Sequence, residues 1–188
     1  MTVPAGNTPR NPSFRIRTER LVLRLYREGD EVWMHRLYSR PEVVERLLDY
    51  PWDEEFALDR LKDRIARTDL DGSLGTLALV VEHEGAPVGD VMVWRSERGT
   101  AEIGWVLDPD HGGQGFGTEA VKEVLDLCFR IYGLHRVVAR MDARNEASAR
   151  LAARVGMTQE AHFRSDWWIK GEWTDTLVFA RLADDRRG

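Results

Sequence analysis

A chain of 188 residues, 43% hydrophobic and 31% charged, has the size and composition of one globular domain with a real core. Its net charge of −5 gives no reason to expect nucleic-acid binding, which usually draws on a basic face. The single cysteine, Cys128, excludes an internal disulfide framework, and no apolar run is long enough to cross a bilayer.

Residues 1–13 carry Pro4, Pro9 and Pro12 among polar residues and lack the apolar stretch of a signal peptide. A disordered tail and a cytoplasmic location are the expectations, with one domain over 14–182 and a short tail over 183–188. Residues 14–17 and 21–25 alternate and read as strands around a turn at 18–20. Asp30 is placed to cap a helix carrying Val32, Trp33, Leu37 and Tyr38. Pro41 opens a short helix over 42–48. Asp53 caps a third helix, with Phe56, Leu58, Leu61 and Ile65 as its apolar side.

Three strands follow, over 76–82, 88–95 and 100–107, joined by turns at Gly85 and Gly99. Such short links predict an antiparallel meander. Residues 117–132 repeat apolar side chains at helical spacing, with Cys128 in the buried stripe and Gly133 just beyond. A strand over 136–141, a helix over 148–155 stopped at Gly156, and two strands over 158–166 and 174–182 complete the chain. Strands flanked by helices predict a mixed α/β or α+β layer fold.

The chemistry concentrates between the third meander strand and the long helix. Pro109 ends the strand, and Gly112, Gly113, Gly115 and Gly117 follow just before the helix. Glycines let a ligand approach the main chain, and a helix start offers free N–H groups and a positive dipole end. Together they suit a pyrophosphate. A Walker loop would need a lysine beside Thr118, and a dinucleotide fingerprint would need a βαβ unit in place of the meander. Taken alone, the glycines fit equally well a turn that merely caps a helix.

From Glu102 to Leu107 and from Gly113 to Ala120, the sequence resembles the acetyl-CoA motif of the GNAT N-acetyltransferase superfamily. Asn145 to Ser148 and Leu151 to Met157 resemble that superfamily's next motif, and Thr18 to Arg24 with Lys170 to Asp175 resemble its RimJ/RimL branch. The resemblance implies a GNAT fold: a central, mostly antiparallel twisted sheet flanked by helices, with two strands splayed at the acetyl-CoA site. It implies acetyl-CoA as co-substrate, no metal, and direct attack on the thioester by a primary amine, from a protein N-terminus or a small molecule. An aminoglycoside-type enzyme, a succinyl-CoA-type acyltransferase and a non-catalytic acyl-CoA-binding domain are the alternatives. A homodimer is a further implication; nucleic acid and membrane are not expected partners.

Carried over residue by residue, the resemblance assigns cofactor binding to Trp105, Val106 and Leu107 on the splayed strand. In the loop it assigns Gly112, Gly113, Gln114, Gly115, Phe116, Gly117 and Thr118, and beyond it Asn145, Ser148 and Arg150. Glu102 is the candidate base, with a bound water as the alternative base and an exposed or ion-paired strand carboxylate as its plainer role. Ser148 is the candidate donor to the leaving thiolate, or simply a first-turn residue of a helix capped by Asn145. Gly112 departs from the pattern, which has Arg or Gln there, so the pyrophosphate must rely on backbone N–H groups, with any cation coming from elsewhere. Arg150 and Arg154, four residues apart, are the candidates, and they also fit a solvated helix face. An α-amine, with a pKa near ~8, loses its proton at neutral pH for about 1 kcal/mol; a lysine side chain, near ~10.4, costs about 4 to 5 kcal/mol. A modest base therefore suffices for an α-amine. Trp52, Trp94, Trp167 and Trp168, with Asp53, Glu54 and Asp166, would suit a cationic acceptor or, more plainly, core packing and solvated charge. No histidine has a partner at metal-ligand spacing.

Overall fold

The computed structural model describes residues 14–187; the expected tail over 1–13 lies outside them. Among the described residues, nine strands form one sheet in the order β1-β2-β4-β5-β6-β7-β9-β8, with β3 added beside β4. The strands are β1 (Arg15–Arg17), β2 (Leu21–Leu25), β3 (Thr68–Asp69), β4 (Thr76–His83), β5 (Ala86–Arg95), β6 (Thr100–Leu107), β7 (Arg136–Asp142), β8 (Thr158–Ile169) and β9 (Glu172–Leu182). Every pairing is antiparallel except β6 with β7. Helices α1 (Glu31–Tyr38), α2 (Pro41–Val44) and α3 (Glu54–Ile65) precede the meander, and α4 (Phe116–Arg130) and α5 (Glu146–Arg154) flank β7.

Two hydrophobic clusters cover the sheet's two faces. Alternate residues of β5, β6 and β7, including Val91, Ile103 and Val137, pack against the stripe Ala120, Val121, Val124, Leu125 and Cys128 of α4. Burial pushes the Cys128 thiol up to about 12, so it stays an inert packing group. On the opposite face, Ala78 and Val80 of β4 meet Trp33, Met34, Tyr38, Trp52 and Leu61, with Met92 and Val106 at the margin.

Several local expectations change in the folded chain. The Asp30 side chain makes no helix-cap bond. It takes a two-pronged ion pair from Arg24, at 2.8 Å on each prong, because both side chains are buried and each needs the other's charge. Val32 and Leu58, assigned to apolar helix faces, are 71% and 45% exposed. The second helix is only Pro41–Val44. Asp53 does cap α3, accepting from the Phe56 N–H at 2.8 Å. Asn145 accepts from the Ser148 N–H at 3.0 Å, which starts α5 at Glu146 rather than at Ser148. The last two strands extend further toward each other than expected, and the residues after them form a 3-10 turn, Ala183–Arg187.

Candidate active site

The parallel pairing of β6 with β7 covers only Thr100 with Arg136, Ala101 with Val137 and Glu102 with Val138. Both strands continue, β6 to Leu107 and β7 to Asp142, and each stays paired on its outer side, with β5 and β9 respectively. A gap therefore opens between them immediately after Glu102. The Asp108 N–H bonds Val88 O at 2.9 Å, and Gly99 O accepts from Arg136 N at 3.1 Å. By strand alternation, Gly104 and Val106 turn their backbone groups to β5, whereas Ile103, Trp105 and Leu107 turn theirs into the gap. The side chains alternate too: Glu102 and Val106 share the α1–α3 face, and Ile103 and Trp105 share the α4 face.

Beyond Leu107, Pro109–His111 forms a single 3-10 turn capped by Asp108, whose Oδ1 accepts from the Asp110 N–H at 3.0 Å. Gly115, at φ 81°, occupies the N-cap of α4. A Cβ on Gly112 would sit 2.9 Å from Pro109 O, which is backbone and cannot swing aside. The loop's own turn thus excludes a side chain at this position. A Cβ on Gly117 would meet Leu151 at 2.7 Å, so this glycine lets α4 and α5 approach closely under the loop.

Two neighbouring cavities flank the gap. One, of about 510 Å³, is lined by Gly112, Gly113, Gly115, Phe116, Gly117 and Thr118, together with Trp105, Val106 and Leu107. The other, of about 590 Å³, contains Glu102 and extends to residues 45–49 just after α2 and to the β8–β9 hairpin. Trp105, Val106, Asn145, Ser148, Arg46 and Leu47 line both and mark the junction. Among the described residues the Ser148 hydroxyl makes no hydrogen bond, although its backbone N–H is used by Asn145.

The fold thus brings together Glu102, Asn145, Ser148 and most of the glycine loop. Arg150 stands apart, paired with Glu146 at 2.9 Å on an exposed face. Arg154 instead lines the loop cavity, where it donates to Thr118 Oγ1 at 3.2 Å. Gln114 offers its carbonyl to Arg20 at 2.7 Å and lies outside the cavity lining. Of the tryptophans, Trp94, Trp105 and Trp167 line the larger cavity, Trp52 is buried against Tyr38, and Trp168 is exposed.

Carboxylates and cations line the larger cavity in nearly equal number, and most are paired. Arg64 donates to Asp90 at 2.8 Å and to the Tyr26 hydroxyl at 2.7 Å. Arg144 bridges Asp142 and Glu172. Lys170 reaches across to Val44 O at 2.6 Å; burial pulls its pKa below the ordinary lysine value, against the pull of Asp49 and Glu45. Burial raises the Glu102 carboxyl above its ordinary value, opposed by Arg140 at 3.7 Å. Sequence reasoning missed Arg20, Arg46, Arg64 and Arg140. Only Arg20 carried a signal, as part of a family-like stretch with no role attached.

A sheet with one parallel pair splayed at its middle, a glycine turn leading into a helix, and a second cavity beyond the gap define an acyl-CoA-dependent transferase fold. The residues fit coenzyme A on two observations: the strand leaves main-chain groups of Trp105 and Leu107 unpaired by β7, and Gly112, Gly113 and Gly115 to Thr118 line a cavity at a helix start. The chain matches the family described as Acetyltransferase (GNAT) domain over residues 20–158, and it belongs to that family. It is 27% identical to Uncharacterized N-acetyltransferase p20 of Bacillus licheniformis, over 91% of this chain and 97% of that protein. It is 32% identical to L-amino acid N-acyltransferase MnaT of Escherichia coli, over 66% of this chain and 74% of that protein. A GNAT-family acetyltransferase from Bacillus anthracis superposes with a TM-score of 0.82 at 25% identity, covering 91% and 99% of the two chains. At 21% identity the fold also matches RimL, a ribosomal-protein acetyltransferase, with coenzyme A (TM-score 0.80, covering 91% and 99%). The same identity relates it to spermidine N-acetyltransferase of Vibrio cholerae with CoA and spermine (TM-score 0.76, covering 91% and 100%). RimL is thus one of several structural neighbours, and the expected RimJ/RimL branch is not singled out.

Proposed function

We propose that this GNAT N-acetyltransferase uses acetyl-CoA to acetylate an α-amine, on a small molecule or a peptide terminus, held in the cavity that contains Glu102. The observation that carries the reading is the gap opening right after Glu102, with the glycine-lined cavity on one side and a charge-balanced cavity on the other. Residues 112–118 would hold the pyrophosphate on backbone N–H groups, with Arg154 supplying the cation that Gly112 cannot. Backbone groups of Trp105 and Leu107 would hold the pantetheine arm. When bound, the co-substrate supplies an activated acetyl thioester.

Glu102 takes a proton from the incoming ammonium. Its raised carboxyl sits closer to the amine's own range than an exposed glutamate would, which eases that transfer. The neutral amine nitrogen bonds the acyl carbon as the carbon–sulfur bond breaks. A backbone N–H of β6 facing the gap steadies the charge developing on the acyl oxygen. Ser148, at the junction with its hydroxyl unengaged among the described residues, donates to the departing sulfur. The nitrogen then releases its second proton, which restores the Ser148 hydroxyl, and the products are an amide and a free thiol.

The near balance of charge favours this reading over an aminoglycoside-type enzyme, whose polycationic substrate needs an excess of carboxylates. The relatives named for spermidine and for L-amino acids fall on either side of that distinction. The test is thiol release from acetyl-CoA, and from succinyl-CoA for comparison, across α-amines, polyamines and aminoglycosides. Turnover on α-amines is expected. Binding of acetyl-CoA without turnover on any amine would mark a non-catalytic binding domain.

A further inference from the structure

Arg140 stands on β7 two residues beyond Val138, on the same face as Glu102 across the strand gap. Its Nε lies 3.7 Å from Glu102 Oε2. That separation is too long for a hydrogen bond, so the contact consumes neither group's hydrogen-bonding capacity. Both side chains reach the cavity, Glu102 at 28% and Arg140 at 51% exposure. The other cations of the cavity are engaged: Arg64 by Asp90, Arg144 by Asp142 and Glu172, Arg46 by Glu45, and Lys170 by Val44 O. Arg140 makes no hydrogen bond among the described residues and lines the cavity with a guanidinium suited to a carboxylate.

We infer that Arg140 is a carboxylate receptor and that the acceptor is a free α-amino acid with an apolar side chain, an inference that rests on the acetyltransferase reading of the Glu102 cavity. An α-amino acid carries its nitrogen and its carboxyl carbon roughly 2.5 Å apart. It therefore presents adjacent opposite charges to a wall that holds a carboxylate beside a guanidinium. Its ammonium meets Glu102 and its carboxylate meets Arg140, by charge-assisted bonds about twice as strong as neutral ones. A peptide terminus or an amino-acid amide offers Arg140 only a neutral carbonyl. A polyamine offers a second cation, which Arg140 repels. Trp94, Trp105, Trp167 and Met141 supply apolar wall for the side chain. The substrate's carboxylate also draws the guanidinium away from Glu102 and leaves that carboxylate freer to accept the ammonium proton.

The test compares kcat/KM for a panel of aliphatic, aromatic and thioether amino acids with their amides, and with spermidine, in the wild-type protein and in Arg140→Gln and Arg140→Lys. The free acids should exceed their amides by about tenfold or more in the wild type, since one charge-assisted hydrogen bond is traded for a neutral one. In Arg140→Gln the ratio should fall to near one, mostly through KM, and Arg140→Lys should restore part of it. Thermal midpoints establish that the variants are folded. A wild-type ratio near one, with amides, peptides or spermidine turned over, overturns this inference alone. So does a ratio that survives Arg140→Gln. Absence of thiol release with every amine overturns the acetyltransferase reading and this inference with it.

Discussion

Arg20, in the turn before β2, and Glu119, in the first turn of α4, form an ion pair at 2.7 Å. The same guanidinium donates to Gln114 O at 2.7 Å and lies 4.9 Å from the centre of the Phe116 ring. Glu119 also accepts from the Arg20 N–H at 2.9 Å and from the Thr18 hydroxyl. The N-terminal turn thereby clamps the glycine loop from outside the cavity lining, through the Gln114 carbonyl and the start of α4.

Arg20→Ala should weaken acetyl-CoA binding by about tenfold, the equivalent of one charge-assisted hydrogen bond lost from the loop. Calorimetric titration measures it. An unchanged Kd would mean that the glycines hold their shape without the clamp.

Gly112→Ala forces a Cβ to within 2.9 Å of Pro109 O, so the 3-10 turn must shift. We expect a stability loss of about 1 to 3 kcal/mol together with weaker acetyl-CoA binding. Denaturant titration and calorimetry should move together; a loss in binding alone would place a ligand contact at this glycine instead.

Glu102→Gln should remove the acid limb of the kcat/KM profile. In the wild type that limb should lie above 4.5, the ordinary glutamate value, because burial raises the carboxyl despite Arg140. Activity then rises with pH as Glu102 loses its proton, and it is lost as pH falls through the raised pKa. An acid limb that persists in the variant would point to a water-relayed base.

Ser148→Ala should lower kcat by roughly a hundredfold, the low end for loss of a proton donor, with little change in acetyl-CoA affinity. The Asn145 cap uses the backbone N–H of Ser148, so α5 should stay intact. Pre-steady-state thiol release is the measurement, and an unchanged kcat would remove Ser148 from the chemistry.

Asp30→Ala removes both Asp30 bonds from the buried Arg24 guanidinium, which keeps its 2.7 Å ion pair with Glu82, and should cost about 3 kcal/mol in chemical unfolding. Burial by itself would raise the Asp30 carboxyl, but Arg24 and the Arg27 N–H outweigh it and the net direction is down. The pair's stabilisation is therefore complete above the unfolded carboxylate pKa and is lost as pH falls through the lower folded value. The wild-type acid-unfolding curve should lose this component in Asp30→Ala.

Some features depend only on neighbours in sequence, and these were readable without coordinates. The apolar stripe of α4, the Asp53 cap, the strand–glycine–helix transition at residues 107–118 and the meander all arise from side-chain periodicity and local backbone chemistry acting over a few positions. Asp30 looked like another cap, and only the folded chain shows its carboxylate spent on Arg24. Glu119 bonds a backbone 99 residues away, Arg64 meets Asp90 across 26, and Arg140 meets Glu102 only because β6 and β7 pair for three residues and then diverge. A charged residue carries no periodic mark of its partner. Which opposite charge it meets is set by strand order and register, so the loop that would hold the co-substrate was legible in the sequence, while the charges around the acceptor were decided by tertiary structure.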